Sequence, residues 1–302
     1  MKNSYLSINN LNFEYPDGFK ALHNINFQIK KNERIAILGP NGAGKTTLIL
    51  HLNGILGNLD EKIKIDDLLY NEQNIGRIRK TVGLVFQDPD DQLFMPTVLE
   101  DVMFGPKNFG FSNDEAENNA INALKKVKMD NFIDKPPHHL SFGQKRKVAI
   151  ASVLASEPEL LVLDEPSSNL DPASRRELIE ILKSLEISLI LVTHDLPMAL
   201  EICDRSIILN NGEITTDMKT YEILKDKKIM EENRLELPYG FALHHLEEWN
   251  SKDLIYSTIL SSASYASLIG KNCQACQSPS QVCSWTFIFL SSNFLTNSIA
   301  SL

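Results

Sequence analysis

Apolar and polar positions alternate loosely through SYLSINNLNFEY, residues 4–15, and this spacing predicts a strand. NINFQIKKNERIAILG, residues 24–39, reads as two strands about a charged turn, the second closed by glycine. From GAGKTTLILHLNGIL onward, residues 42–56, the pattern is that of a helix following directly on the glycine turn. KTVGLVFQ, ELLVLDEP and SLILVTHD are short apolar runs, each predicted as a buried strand. Between Gln87 and Ser141 the chain reads as mostly helical, punctuated by Pro96, Pro106 and Pro136-Pro137. RRELIEILKSL sets Leu178, Ile181, Leu182 and Leu185 at helical spacing. DRSIILNNGEI predicts a hairpin that turns at Asn211-Gly212. Strand and helix alternate, so the pattern predicts an α/β fold with a largely parallel sheet.

Composition changes this picture little until the end of the chain. The 302 residues suffice for one large domain or two modest ones, and 43% hydrophobic with 23% charged content is ordinary for a globular protein. A net charge of −9 argues against a nucleic-acid partner gripped by phosphate neutralisation. MKNSYLSINNLNFEYP has no signal-peptide h-region, and no segment approaches the roughly 18 consecutive apolar residues of a spanning helix. Near Trp249 the composition shifts: beyond Asp253 the single charged residue is Lys271, and serine is abundant. Residues 249–302 therefore read as a separate, poorly packed tail without a repeat or period. Of the four cysteines, Cys273, Cys276 and Cys283 fall in that tail, and Cys203 stands alone in the body, as suits a reducing compartment. Cys273 and Cys276 have C-x-x-C spacing, but a structural zinc takes four ligands and neither a histidine nor a second pair follows. They are read as incidental.

The chemistry is concentrated in two strand–turn junctions. GPNGAGKT, comprising Gly39, Pro40, Asn41, Gly42, Ala43, Gly44, Lys45 and Thr46, satisfies G-x-x-x-x-G-K-[ST] between an apolar strand and an amphipathic helix. In that motif backbone N–H groups turn inward around phosphates, the lysine reaches the β and γ phosphates, and the threonine ligates Mg²⁺. The helix that follows, with Thr47 in its first turn, points its positive end at the anion. ELLVLDEP ends in Asp164, placed to join Thr46 at Mg²⁺, and Glu165, a candidate general base for water. ATP or GTP with Mg²⁺ is thus the expected ligand. An N-K-x-D guanine-reading motif does not occur, which speaks against a Ras-like GTPase.

Leu140-Ser141-Phe142-Gly143-Gln144 resembles the L-S-G-G-Q signature of the ATP-binding cassette family, and the resemblance extends over about residues 3–245. It implies a P-loop NTPase cassette: a largely parallel central sheet, an antiparallel β subdomain and a helical signature subdomain. One cassette domain is expected over residues 1–248, with the helical part at about 88–150 and a C-terminal accessory part at about 215–248. In that family two cassettes pair head to tail, and the signature of one closes on the γ-phosphate held by the other. Ser141 suits an N-cap for a helix beginning near Gln144, so its hydroxyl, the Gly143 amide and the helix dipole would face an anion. Phe142 stands where the family pattern has glycine. A side chain there does not readily take φ > 0, which leaves Ser141 and Gly143 to make the contacts. The resemblance further implies that Tyr15 stacks on adenine, that Gln87 senses Mg²⁺ and the attacking water, and that His194 contacts the γ-phosphate. It also places Ser167 to Asp171 in the loop that crosses to the partner.

VFQDPDDQLFMPTVLEDVMFGPKNFG narrows the resemblance to the ATPases of energy-coupling-factor importers, of the cobalt and nickel type. Their Q-x-P-x-x-Q-x-F and T-V-x-x-D-V-x-F-G-P patterns match Gln87, Pro89, Gln92 and Phe94, then Thr97, Val98, Asp101, Val102, Phe104, Gly105 and Pro106. NRLELPYGFAL is similar to the C-terminal region of that group. Such a subunit sits on the cytoplasmic face of the membrane. It pairs with a second cassette, itself or a paralogue, and drives a transmembrane scaffold and a small substrate-binding membrane protein. Cargo would be a transition-metal ion, cobalt or nickel, or a vitamin. The competing reading is a soluble cassette ATPase without a transport role, of the iron–sulfur assembly type. The stretch from Gln87 to Pro106 argues against it.

Overall fold

The computed structural model describes residues 4–57, 61–238 and 241, and every element below belongs to the unit Met1–Leu237. The tail from residue 249, with its three cysteines, lies outside the described residues. The chain begins with β1 (Leu6–Glu14), β2 (Lys20–Ile29), β3 (Arg34–Leu38), α1 (Lys45–Leu52), β4 (Ile63–Ile65), β5 (Leu68–Leu69), α2 (Ile75–Thr81) and β6 (Val82–Val85). Three helices follow: α3 (Val98–Asn108), α4 (Asn113–Lys126) and α5 (Phe142–Leu154). The remainder is β7 (Leu160–Asp164), α6 (Pro172–Ser184), β8 (Ser188–Val192), α7 (Leu196–Ile202), β9 (Arg205–Asn210), β10 (Glu213–Lys219), α8 (Thr220–Lys225) and α9 (Lys227–Glu232).

Two sheets result, as the α/β pattern and the family resemblance led us to expect. One is six-stranded, in the order β10-β9-β3-β8-β7-β6, parallel from β9 to β6 with β10 antiparallel at the edge. The other is four-stranded and antiparallel, in the order β2-β1-β4-β5. Every residue of β7 and β8 is buried, because helices and the second sheet leave no solvent face; hence their unbroken apolar sequences. The register aligns the carboxyl ends: Ile37 faces Val192, Val192 faces Asp164, and Leu163 faces Val85. The loops after β3, β8, β7 and β6 therefore leave the sheet along one edge, where ligands collect in open α/β folds.

The structure departs from the sequence pattern in four places. The two strands flanking the charged turn at residues 30–33 do not pair; β2 joins the antiparallel sheet and β3 the parallel one. α1 stops at Leu52, where Asn53 and Gly54 (φ 68) end the helix short of the predicted Leu56. β4, β5 and α2 are too short to show a period. α5 starts at Phe142 rather than near Gln144, with Ser141 as N-cap and Gln144 returning a bond to the Ser141 N–H at 3.0 Å. The Asn211-Gly212 turn forms as expected, with φ of 47 and 77 suited to a tight hairpin.

Candidate functional site

The loop between β3 and α1 takes its shape from glycine. Gly39 has φ 144, and a Cβ there would lie 2.0 Å from the Leu209 carbonyl oxygen on neighbouring β9. Gly44 (φ 99) is the N-cap of α1, and a Cβ on it would meet the Ala21 carbonyl at 2.6 Å. The loop is thus pressed against β2 and β9, and the first N–H groups of α1, which have no acceptor within the helix, face outward with its positive dipole end. Lys45 folds back over the loop and donates to the carbonyls of Gly39 (2.8 Å) and Pro40 (2.9 Å). Burial pushes its ammonium pKa down, and the nearby carboxylates of Glu165 and Asp164 work against that shift.

The adjacent strand ends add oxygen ligands and a base. The Thr46 hydroxyl donates to Asp164 Oδ2 at 2.9 Å, joining the helix start to the end of β7. Burial raises the Asp164 pKa, while the Thr46 bond opposes this. Glu165, 7% exposed, has left-handed backbone (φ 44), a strain of about 1–3 kcal/mol for a residue with a side chain. Its N–H donates to the Val192 carbonyl at 2.9 Å, which fixes that conformation. Its carboxylate Oε2 accepts from the His194 main-chain N–H at 3.2 Å and lies 2.7 Å from His194 Nδ1. The imidazole itself is largely exposed.

These groups surround a cavity of about 700 Å³, of a size suited to a nucleotide. Residues 39–42 and 44–47 form its floor, and Gln87, Asp164, Glu165 and His194 stand around it. The Thr46 hydroxyl, the Asp164 carboxylate and the Gln87 amide are hard oxygen donors of the kind Mg²⁺ takes, so the residues present fit that ion.

The remaining predicted residues lie elsewhere. Ala43 packs inward, its carbonyl accepting from the Gly212 N–H at 3.1 Å. Tyr15 holds its hydroxyl 3.1 Å from Thr47 Oγ1, and its ring lies near-parallel to that of Phe19, centroids 6.5 Å apart. Phe19, 57% exposed, lines the cavity in its place. Asp171 caps α6, accepting from the Ala173 and Ser174 N–H groups at 3.0 Å. Ser141, Gly143 and Gln144 stand at the α5 N-terminus, outside the cavity of their own chain. The Ser141 hydroxyl accepts from the Gln144 N–H and keeps its proton free to donate.

Sequence reasoning missed Phe19 and Leu196, and also Arg234, Leu235 and Glu236, which close another part of the wall. The segment NRLELPYGFAL stood out as a family resemblance but carried no chemical motif. Its placement depends on buried Asn233, which accepts from Thr215 Oγ1 (2.8 Å) and Asn210 Nδ2 (3.3 Å) and donates to the Ile229 carbonyl (2.8 Å).

A second cavity, about 410 Å³, lies between β6 and the helical segment. Phe94 (63% exposed) and Phe104 (39%) meet edge to face there, with centroids 4.9 Å apart. Asp101 shapes this groove by accepting from the Phe94 and Met95 N–H groups at 3.0 Å, and its Oδ2 has no partner among the described residues.

A glycine loop at a helix start, acids at neighbouring strand ends and a signature helix outside the cavity define a nucleotide-hydrolysing cassette. Sequence comparison gives the family. The model described as ABC transporter matches residues 22–168. A putative ABC transporter ATP-binding protein of Streptomyces avermitilis is 57% identical over 236 residues, 78% of this chain and 90% of the relative. The energy-coupling factor transporter ATP-binding protein EcfA of Methanocaldococcus jannaschii is 44% identical over 250 residues, 81% of this chain and 89% of that one. Among solved structures, cbiO1 of Clostridium perfringens, part of the ABC transporter complex cbiONQ, superimposes with a TM-score of 0.68 at 40% identity, covering 78% of this chain and 97% of that one. The chain belongs to the ATP-binding proteins of ABC transporters, close to those of energy-coupling-factor systems, and its activity is that of an ABC transporter ATPase. Among the described residues no helix is long and apolar enough to cross a membrane.

Proposed function

We propose that this chain is the ATP-hydrolysing subunit of an energy-coupling-factor-type importer, attached to the cytoplasmic face of the membrane and taking up cobalt, nickel or a vitamin. The observation that carries the reading is the convergence of Lys45, Thr46, Asp164, Gln87, Glu165 and His194 on one cavity, while the signature residues of the same chain stand outside it. That division suits two cassettes that each complete the other's site. In our reading the loop amides and Lys45 hold the triphosphate, and Thr46, Asp164 and Gln87 hold Mg²⁺, which when bound neutralises charge on the phosphate oxygens. Phe19 flanks the adenine end, with the Tyr15 ring set against it from behind. Glu165 accepts the proton of the attacking water, Gln87 orients that water, and His194 and Lys45 stabilise charge on the transferring phosphoryl group. Ser141, Gly143 and Gln144 of a second cassette cover the γ-phosphate, and the loop ending at Asp171 meets that partner. Loss of the γ-phosphate removes the bridge and the pair opens.

The aromatic groove is the surface we assign to the transmembrane scaffold. It includes residues of the Gln87–Pro106 stretch that carries the importer resemblance, and it exposes two adjoining phenylalanines, an apolar patch of the kind that marks an interaction surface. The test is to tag the chain in its native cell, solubilise membranes gently and identify what co-purifies. Small multi-spanning proteins are expected, with the substrate-binding one narrowing the cargo, and Phe94→Ser should release them without abolishing ATP binding. Recovery of soluble partners alone from an active preparation would sink the importer reading.

A further inference from the structure

Arg146 is fully buried, and it heads the largest such side chains among the described residues. It lies on α5, one helical turn beyond Phe142. No carboxylate stands at ion-pair distance from it among the described residues. Its guanidinium instead donates from Nη1 to the Phe86 carbonyl at 2.8 Å and from Nη2 to the Gln87 carbonyl at 2.5 Å, and Nε has no acceptor among the described residues. The Phe142 ring lies 5.4 Å from the guanidinium carbon. Burying an ionised group on two carbonyls and an aromatic face is costly; burial pulls its pKa down, and the more distant charges of Asp88 and Asp164 oppose that shift only in part. A packed apolar side chain would be cheaper there, so the arrangement calls for a reason other than stability.

The loop that Arg146 grips has no strand ladder to fix it, because β6 ends at Val85. Two further ties run from this loop to α5. Gln92 accepts from the Phe86 N–H at 3.3 Å and donates to the Ala149 carbonyl (2.7 Å) and Ser152 Oγ (2.8 Å). Lys145 pairs with Asp90 at 2.7 Å. The carbonyl of Gln87 is thus held by the same helix that carries Ser141 and Gly143 at its N-terminus. We infer that Arg146 is a positioning residue for Gln87, clamping its loop to the signature helix, and that Phe142 is the lid of this clamp. Phe142 is the first residue of α5 and its φ is negative, so the side chain that replaces glycine is unstrained and covers the guanidinium.

This inference rests on the reading of Gln87 as the residue that orients water and Mg²⁺. The test is a double-mutant cycle on the full chain with its partners: Arg146→Lys, Gln87→Ala and both together. ATPase rate is measured against ATP and against Mg²⁺ concentration. Arg146→Lys keeps the charge and loses the fork that spans two carbonyls. We expect kcat to fall by about ten- to hundred-fold, the loss typical of a small misplacement. KM for ATP should hold and the Mg²⁺ requirement rise. In the Gln87→Ala background the same substitution should change little further, since its route to the chemistry is gone. Phe142→Leu, which leaves both carbonyl bonds in place, should give a smaller fall of the same kind and keeps the test alive if Arg146→Lys does not fold. Losses that simply multiply in the double mutant, or a lowered melting temperature with unchanged kcat and Mg²⁺ dependence, overturn the clamp. Full activity of Gln87→Ala overturns the role of Gln87 on which the clamp rests, whereas an impaired Gln87→Ala whose loss multiplies with that of Arg146→Lys overturns the clamp alone, so the two failures are told apart.

Discussion

Replacing Glu165 by glutamine changes one group of the site while keeping its shape. The carboxylate is 7% exposed, and its Oε2 receives the His194 N–H at 3.2 Å with Nδ1 at 2.7 Å. Glutamine retains one oxygen for the main-chain N–H, but it has no basic oxygen for a proton from water. The loss of a positioned base is about 10²- to 10⁴-fold in rate, or roughly 2.7–5.4 kcal/mol on the barrier at 1.36 kcal/mol per decade. The cost to folding should be small by comparison. One charge-assisted bond weakens, by about 1 kcal/mol, while the repulsion between Glu165 and buried Asp164 is relieved. Binding should persist, because Lys45, the loop amides and Thr46 are untouched. The expected state is therefore a nucleotide-filled, closed pair of cassettes that does not turn over. Phosphate release in a single turnover, equilibrium ATP binding and light scattering with Mg·ATP read rate, affinity and pairing separately. Turnover within a factor of about three of the parent corresponds to less than about 0.7 kcal/mol, too little for the loss of a proton acceptor. That result would refute the assignment of Glu165.

Three further outcomes follow from the geometry. Lys45→Met should lose ATP affinity by about ten-fold or more, the worth of a charge-assisted phosphate bond. Because burial disfavours the Lys45 charge, the variant should melt no lower than the parent, and calorimetry with and without nucleotide separates the two effects. Asn233→Ala strands Thr215 and Asn210 and should cost about 1–3 kcal/mol by urea denaturation. By loosening residues 234–236 it should also weaken ATP binding measured in parallel, and an unchanged affinity would remove that segment from the site. Asp195 concerns pH. Burial alone would raise its pKa, but the bonds from Arg175 (2.5 and 2.7 Å) and from the Met198 N–H outweigh this and hold it below 3.8. Its contribution is fully present above the unfolded value near 3.8 and is lost as pH falls through the lower folded value. Arg175→Gln should flatten that limb of a urea-midpoint profile taken toward acid; an identical slope would show that the pair does not matter.

The parts of the site legible in the sequence are those that lie within a single turn of chain. The phosphate loop needs its glycines, lysine and threonine in immediate succession, because backbone amides and a helix start must follow one another. Asp164 and Glu165 were legible because a buried parallel strand announces its end by the first acids after an apolar run. Ser141 was legible as a cap because the Ser–Gln spacing that closes a capping box is local. The aromatic at position 142 was visible as a departure, but its meaning was not.

What the sequence by itself determined was the presence of each component and the class of chemistry. The tertiary structure decided which components meet. It sent β2 and β3 to different sheets, a choice invisible in two similar apolar runs. It brought Arg234–Glu236 into the nucleotide cavity through Asn233, whose partners lie on the distant β9–β10 hairpin. It set Phe19 rather than Tyr15 on the wall, and it turned Arg146 from one basic residue in KRK into a buried clamp on the carbonyls of Phe86 and Gln87. Each of these depends on contacts between residues far apart in sequence. Such contacts are fixed by packing and register, which no local pattern encodes.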